Sequence, residues 1–149
     1  MNISFKSDYA LKVILDLAQR YPKELVHIED IARRKDIPQN YLEQILIMLK
    51  QGGFVQSKKG PNGGYVLARA PEKISLGEVL RFMEGSLYPI SCVDPKAKQT
   101  CKEAGHCSFF EIWQQIGDTI NGVVDNIYFD KLKDRDAELK GQRVAEYHI

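Results

Sequence analysis

Residues 38–68 read PQNYLEQILIMLKQGGFVQSKKGPNGGYVLA, and this stretch decides the fold. Tyr41, Leu42, Ile45, Leu46 and Leu49 recur at steps of one, three and four, which marks a helix with one apolar face. Pro38 opens that helix, where a missing N–H is harmless, and Gly52-Gly53 stops it. Phe54-Val55-Gln56-Ser57-Lys58 then alternates as a strand. Lys59-Gly60-Pro61-Asn62-Gly63-Gly64 gathers turn residues, and Tyr65-Val66-Leu67-Ala68 returns as a second strand. Upstream, Ile28 to Lys35 forms a short helix with Ile28, Ile31 and Ala32 inward and Arg33, Arg34 and Lys35 outward. Asp36 and Ile37 make the tight turn between the two helices. A helix pair across such a turn is a helix-turn-helix, and a hairpin directly after it makes a winged helix.

In that arrangement the second helix enters the DNA major groove with its first residues on base edges. Those residues are Gln39, Asn40, Glu43 and Gln44, all with side chains able to read donors and acceptors. Lys58 and Lys59 sit at the hairpin tip beside glycines, so the backbone there can approach a phosphate or a groove. A polar solvated helix face and a glycine-rich surface hairpin would read alike one at a time; their direct succession favours DNA. Charge agrees. Residues 1–70 hold 11 Lys or Arg against 7 Asp or Glu, and residues 71–149 hold 10 against 13. A basic head on an acidic body suits nucleic-acid contact by the first half.

At 149 residues, 44% hydrophobic and 28% charged, the chain reads as one domain with a helical extension. It shows neither a signal-peptide pattern nor an apolar run of membrane-spanning length, which predicts a cytoplasmic protein. An enzyme is not expected. The three histidines, His27, His106 and His148, are not paired with cysteine at an activating spacing, and no phosphate-cradling or nucleophile motif occurs.

The flanking segments supply a body. Tyr9, Ala10, Val13, Ile14, Leu17, Ala18 and Tyr21 predict a first helix from Ser7 to Pro22. Asp8 lies in its first turn, where an acid complements the helix dipole. Ser75-Leu76-Gly77-Glu78 is a capping box opening a helix that ends at Gly85. Ser108-Phe109-Phe110-Glu111 is a second capping box. It opens a long helix with Phe109, Trp113, Ile116, Ile120, Val123 and Ile127 in heptad register, the pattern of a two-fold interface. A dimer would set two recognition helices about one DNA turn apart on a palindromic operator. The expected division is a winged helix-turn-helix domain over 1–85, a cysteine-bearing sensor loop over 86–107, a dimerisation helix over 108–133, and a charged, disordered tail over 134–149. The fold class is mainly α with a small β-hairpin wing.

All three cysteines, Cys92, Cys101 and Cys107, fall in the loop SCVDPKAKQTCKEAGHC from Ser91 to Cys107. This loop has almost nothing apolar to bury, so its thiols need another reason to be gathered. An odd count argues against a disulfide framework. Gaps of eight and five residues are wider than the paired spacing of compact zinc motifs, and an iron–sulfur centre tolerates wider gaps.

The run YLEQILIMLKQGGFVQSKKGPNGGYVLARAPEKISLGEVL, with its wing motif Gly60-Pro61-x-Gly63-Gly64-Tyr65, resembles the bacterial winged-helix regulators of the IscR, NsrR and CymR type. The resemblance covers almost the whole chain. It implies base or phosphate contacts from Gln39, Asn40, Tyr41, Glu43 and Gln44, and a wing in the minor groove at Lys59. It also implies an iron–sulfur cluster on Cys92, Cys101 and Cys107, 2Fe–2S ahead of 4Fe–4S, with nitric oxide, redox or iron–sulfur status as the signal. Cluster-binding members commonly have five residues in each gap; the first gap here is three longer. For the fourth ligand, the biogenesis regulator has a histidine where this chain has Phe110. The nitric-oxide sensor uses an aspartate of the partner subunit, and Asp8 stands at the matching place, ahead of His106. The alternative within the family is a cluster-free regulator of the cysteine-metabolism type, answering to a partner protein or to thiol oxidation. A winged-helix interaction module with no DNA role is the alternative outside it.

Overall fold

Apolar side chains from the first three helices meet at the centre of the head, and those helices fall close to where the sequence places them. The computed structural model describes residues 2–98, 101–103 and 105–147. Helix α1 spans Phe5–Arg20, α2 Ile28–Lys35 and α3 Gln39–Gln51. Ser4 caps α1 by accepting from the Ser7 amide, so the helix begins before the expected Ser7. Asp36 takes the left-handed conformation (φ 52°) that turns the chain sharply from α2 towards α3. Pro38 is the cap residue of α3 rather than its first helical residue. Val13, Ile14, Leu17, Ile31, Leu42, Ile45, Leu46 and Leu49 are fully buried together. Each such side chain contributes about 1.5–3 kcal/mol by leaving water. Packing, more than helix propensity, therefore fixes the angle between α2 and α3.

The wing is better anchored than a lone hairpin. Strands β1 (Val55–Lys58) and β2 (Gly64–Leu67) pair antiparallel, with Val55 opposite Leu67 and Lys58 opposite Gly64. Val26, from the α1–α2 connection, exchanges both backbone hydrogen bonds with Tyr65, at 2.8 and 2.9 Å. Gly64 lies against the Val26 backbone with no room for a side chain. That third pairing was not legible in the sequence. Helix α4 (Leu76–Glu84) opens with the expected capping box, Ser75 Oγ accepting from the Glu78 amide and the Glu78 carboxylate from the Ser75 amide.

The C-terminal part corrects three expectations. The helix expected over 108–133 is two helices, α5 (Phe110–Asp125) and α6 (Phe129–Tyr147). At the break the Ile127 carbonyl accepts from the Leu76 amide, and the Phe129 amide donates to the Ile74 carbonyl. Backbone groups that a continuous helix would use internally are taken by the segment entering α4. The second capping box does not form. Helix α5 starts at Phe110 with Phe109 as its cap residue and no side-chain cap bond, which leaves Ser108 outside the helix. The tail expected to be disordered is helical as far as Tyr147, and residues 148–149 lie outside the described residues. Phe129 is buried in the head core, Leu132 packs against that core, and Gln19 donates to Asp136 across to α1. A few well-placed contacts hold α6 on the head, and the boundary drawn at residue 133 falls inside it.

Candidate nucleic-acid interface and cysteine loop

Burying one face of α3 turns the other outward. Gln39, Asn40, Glu43 and Gln44 are exposed, as are Lys58 and Lys59 on the wing. Tyr41 differs from the rest of the expected set. It is half-buried, its ring edge-on to Tyr9 at 5.7 Å, so it wedges α3 against α1 as well as bordering the outer face.

The platform beneath this face is held by a buried carboxylate that the sequence reading passed over. Asp16 is 1% exposed. Its two oxygens accept from Arg34 Nε (3.0 Å) and Nη2 (2.8 Å) on α2, and Oδ1 also accepts from Arg20 Nη1 (3.1 Å). The bidentate fork fixes orientation as well as distance. The hydrogen bond to Asp16 also raises the Arg34 pKa above its ordinary value. The available signal was position: Asp16 falls on the buried stripe of α1 between Val13 and Leu17, where a carboxylate needs a cationic partner.

The cysteine loop is rooted on α5. Leu87 and Val93 are buried. The Tyr88 ring lies on Gly117, where any side chain would collide with it, and the Tyr88 hydroxyl donates to Asp118 Oδ1 at 2.7 Å. Asp94 Oδ1 accepts from the Lys96 amide at 2.8 Å, and bonds from the Ser86 hydroxyl and that amide hold its carboxyl below the usual range. Between these anchors a 3-10 turn over Ser91–Val93 carries Cys92.

Cys92, Cys101 and Cys107 are all free and partly buried. Cys101 and Cys107 both lie near enough to act on Cys92 through their charge. Partial burial first, then these neighbours, push the Cys92 thiol above its ordinary pKa. Neither fourth-ligand candidate joins them within one chain. Asp8 is half-exposed and paired with Lys12 at 2.7 Å. His106 is exposed in a turn closed by its amide on the Glu103 carbonyl. Among the described residues no three His, Cys, Asp or Glu side chains are gathered compactly enough to hold a single metal ion.

Continuous contacts run from the loop root to the wing. Arg81 on α4 donates to Asn121 Oδ1 (2.8 Å) and Asp125 Oδ1 (2.5 Å) on α5, the helix that receives Tyr88. Phe82, next along α4, meets Phe54 edge-on at 5.5 Å, and Phe54 leads directly into β1. Of the heptad residues expected on α5, Phe109, Ile116 and Val123 are exposed, and Trp113, Ile120 and Ile127 are half-buried. Ile112 adds to the exposed stripe. At the start of α1 Phe5 is 81% exposed and Ile3 is exposed beside it, one turn before Asp8.

The Rrf2 family model, described as iron-dependent transcriptional regulator, matches residues 3–135. The IscR regulator of Escherichia coli O1:K1 is 31% identical over 89% of this chain and 80% of its own length. Among solved structures, CymR, the global cysteine regulator of B. subtilis, superposes with a TM-score of 0.74. It is 28% identical over 91% of this chain and 98% of that one. T. potens IscR superposes at 0.69 with 32% identity over 91% and 88%. Among the described residues no helix is long and apolar enough to cross a membrane.

Proposed function

This chain belongs to the Rrf2 family of transcriptional regulators, and from that premise we propose a homodimer whose operator affinity is set by an iron–sulfur cluster on the cysteine loop. It is a DNA-binding winged-helix regulator of the IscR and CymR type and not an enzyme. The observation that carries the cluster reading is the placing of all three cysteines, Cys92, Cys101 and Cys107, free and partly buried, on one loop with little else to fold around. Thiolates brought together on this loop would repel one another, and the Cys92 thiol is already pushed up, first by burial and then by Cys101 and Cys107. A cationic iron centre in place of the protons would relieve that repulsion, so the donor set fits the group.

When bound, the cluster, 2Fe–2S more readily than 4Fe–4S, supplies metal–thiolate bonds and a centre reactive to oxidants and nitric oxide. The remaining work is done by the chain. Tyr88 on Gly117 passes the position of the loop root to α5, Arg81 ties α5 to α4, and Phe82 on Phe54 ties α4 to the wing. A ligand on the loop shifts operator affinity only by the difference in its binding to two arrangements of this assembly.

Asp8 of the second subunit serves as the fourth ligand in this reading. The exposed stripe of α5 forms the two-fold seam, and the bare Phe5 and Ile3 beside Asp8 are a second apolar patch for the partner to cover. A hard carboxylate on iron makes a weaker, more exchangeable bond than a thiolate, which suits a sensor. The test is anaerobic purification with iron and sulfide counted per dimer. Wild type carries a cluster and Asp8→Ala carries less or loses it faster; colourless wild type that refuses reconstitution contradicts the reading.

One observation favours a second reading. Cys92 and Cys101 are free thiols near one another on the same loop, and their oxidation without iron would make the chain a cluster-free thiol sensor. Visible absorbance of the anaerobic protein separates the two.

A further inference from the structure

Helix α3 exposes one apolar side chain at the centre of an otherwise polar stripe. Ile47 is 56% exposed, whereas Leu42, Ile45, Leu46 and Leu49 of the same helix are at 0%. At about 100° per residue, Ile47 projects within about 20° of Asn40 and about 40° of Glu43, roughly two turns further along. Asn40, Glu43, Gln44 and Ile47 therefore share one outward face, with Lys50 and Gln51 exposed beyond them. Their spacing of three, one and three residues equals that of the base-contacting positions on homeodomain recognition helices.

A single exposed isoleucine elsewhere on a protein needs no explanation. On this face it has a consequence. If Asn40, Glu43 and Gln44 reach base edges, Ile47 meets the same groove, and the apolar group presented there is the thymine 5-methyl. A cytosine amino group or a guanine carbonyl opposite Ile47 would lose water without gaining a partner, whereas a thymine methyl loses nothing.

We propose that Ile47 is a specificity-determining residue that reads the 5-methyl group of one thymine in each operator half-site. The proposal rests on the DNA-facing assignment of α3 and is independent of the cluster. Burying one methyl sets the expected scale at about fourfold in affinity per half-site.

The experiment begins with selection of bound duplexes from a random pool by the full-length wild-type protein. Each thymine of the selected operator is then replaced singly by deoxyuridine, which lacks only the methyl. In wild type, one symmetry-related pair of positions loses about fourfold per half-site. Ile47→Ala, whose site is exposed and whose melting temperature should match wild type, binds both duplexes equally at that pair. Ile47→Val retains part of the discrimination. Sequence-selective binding with no deoxyuridine-sensitive position, or with equal sensitivity in wild type and Ile47→Ala, overturns the proposal alone. Failure to enrich any sequence overturns the DNA-facing assignment with it.

Discussion

The head and the cysteine loop solve opposite problems. The head fills its interior with its own leucines, isoleucines and valines, locks α2 to α1 through Asp16, and pins the wing with Val26. It needs nothing added. The loop from Asp94 to Cys107 buries no large apolar side chain among its described residues, and the bonds that hold it lie at its root, on Tyr88, Asp94 and the 3-10 turn. One region is specified by packing. The other presents three thiols and is packed only at its root.

The sharpest break of that contrast is to remove the donors. Replacing Cys92, Cys101 and Cys107 together by serine should reduce bound iron to background and leave the stability of the head within about 1 kcal/mol. Iron analysis beside a thermal melt reads both; a large loss of stability would mean that the loop shares the head's core. The converse change is Asp16→Ala, which leaves Arg34 and Arg20 without their shared acceptor. Both arginines are partly exposed and can rehydrate, so the expected loss is about 2–3 kcal/mol in urea denaturation. Iron content of the remaining folded protein should not change.

Gly117→Ala probes the joint between the regions. The added methyl drives the Tyr88 ring from its seat and should cost about 1–3 kcal/mol. Iron should also be lost faster to a chelator, while affinity for random duplex stays as in wild type. The smallest effect concerns pH. Bonds from Ser7 and Ser4 hold the Glu84 carboxyl below its ordinary 4.5. A depressed folded-state pKa gives stability that is present above the unfolded value and is lost as pH falls through the folded one. Glu84→Gln should therefore flatten the acid limb of the stability curve below about pH 4.5 without altering its neutral plateau.

Legibility followed the same divide. The bounds of α2 and the extent of α3 could be read because apolar period, turn and glycine stop agree locally. The capping box at Ser75 formed for the same reason, whereas the one at Ser108 lost to a helix start at Phe110. The break after Asp125 could not be read from a heptad pattern that runs through it. It is made by backbone pairing of Ile127 with Leu76 and of Phe129 with Ile74, groups far apart in sequence. Helix α6 was hidden by its charge: Phe129, Leu132 and Leu139 are sparse, and pairs such as Lys140–Asp136 lend support that a composition count reads as disorder. At the site, the outward α3 residues were evident from the buried face opposite them. Asp16 and Ile47 were not singled out, since each breaks the local pattern and takes its meaning from the surface it faces.

The most direct measurement compares operator affinity of the cluster-loaded and cluster-free dimers, prepared anaerobically and titrated at one salt concentration, since salt alone moves such affinities by large factors. The expected result is a clear difference between the two forms that disappears when the three cysteines are serine. Equal affinities for loaded and cluster-free protein would leave a winged DNA binder whose cysteine loop does not regulate it.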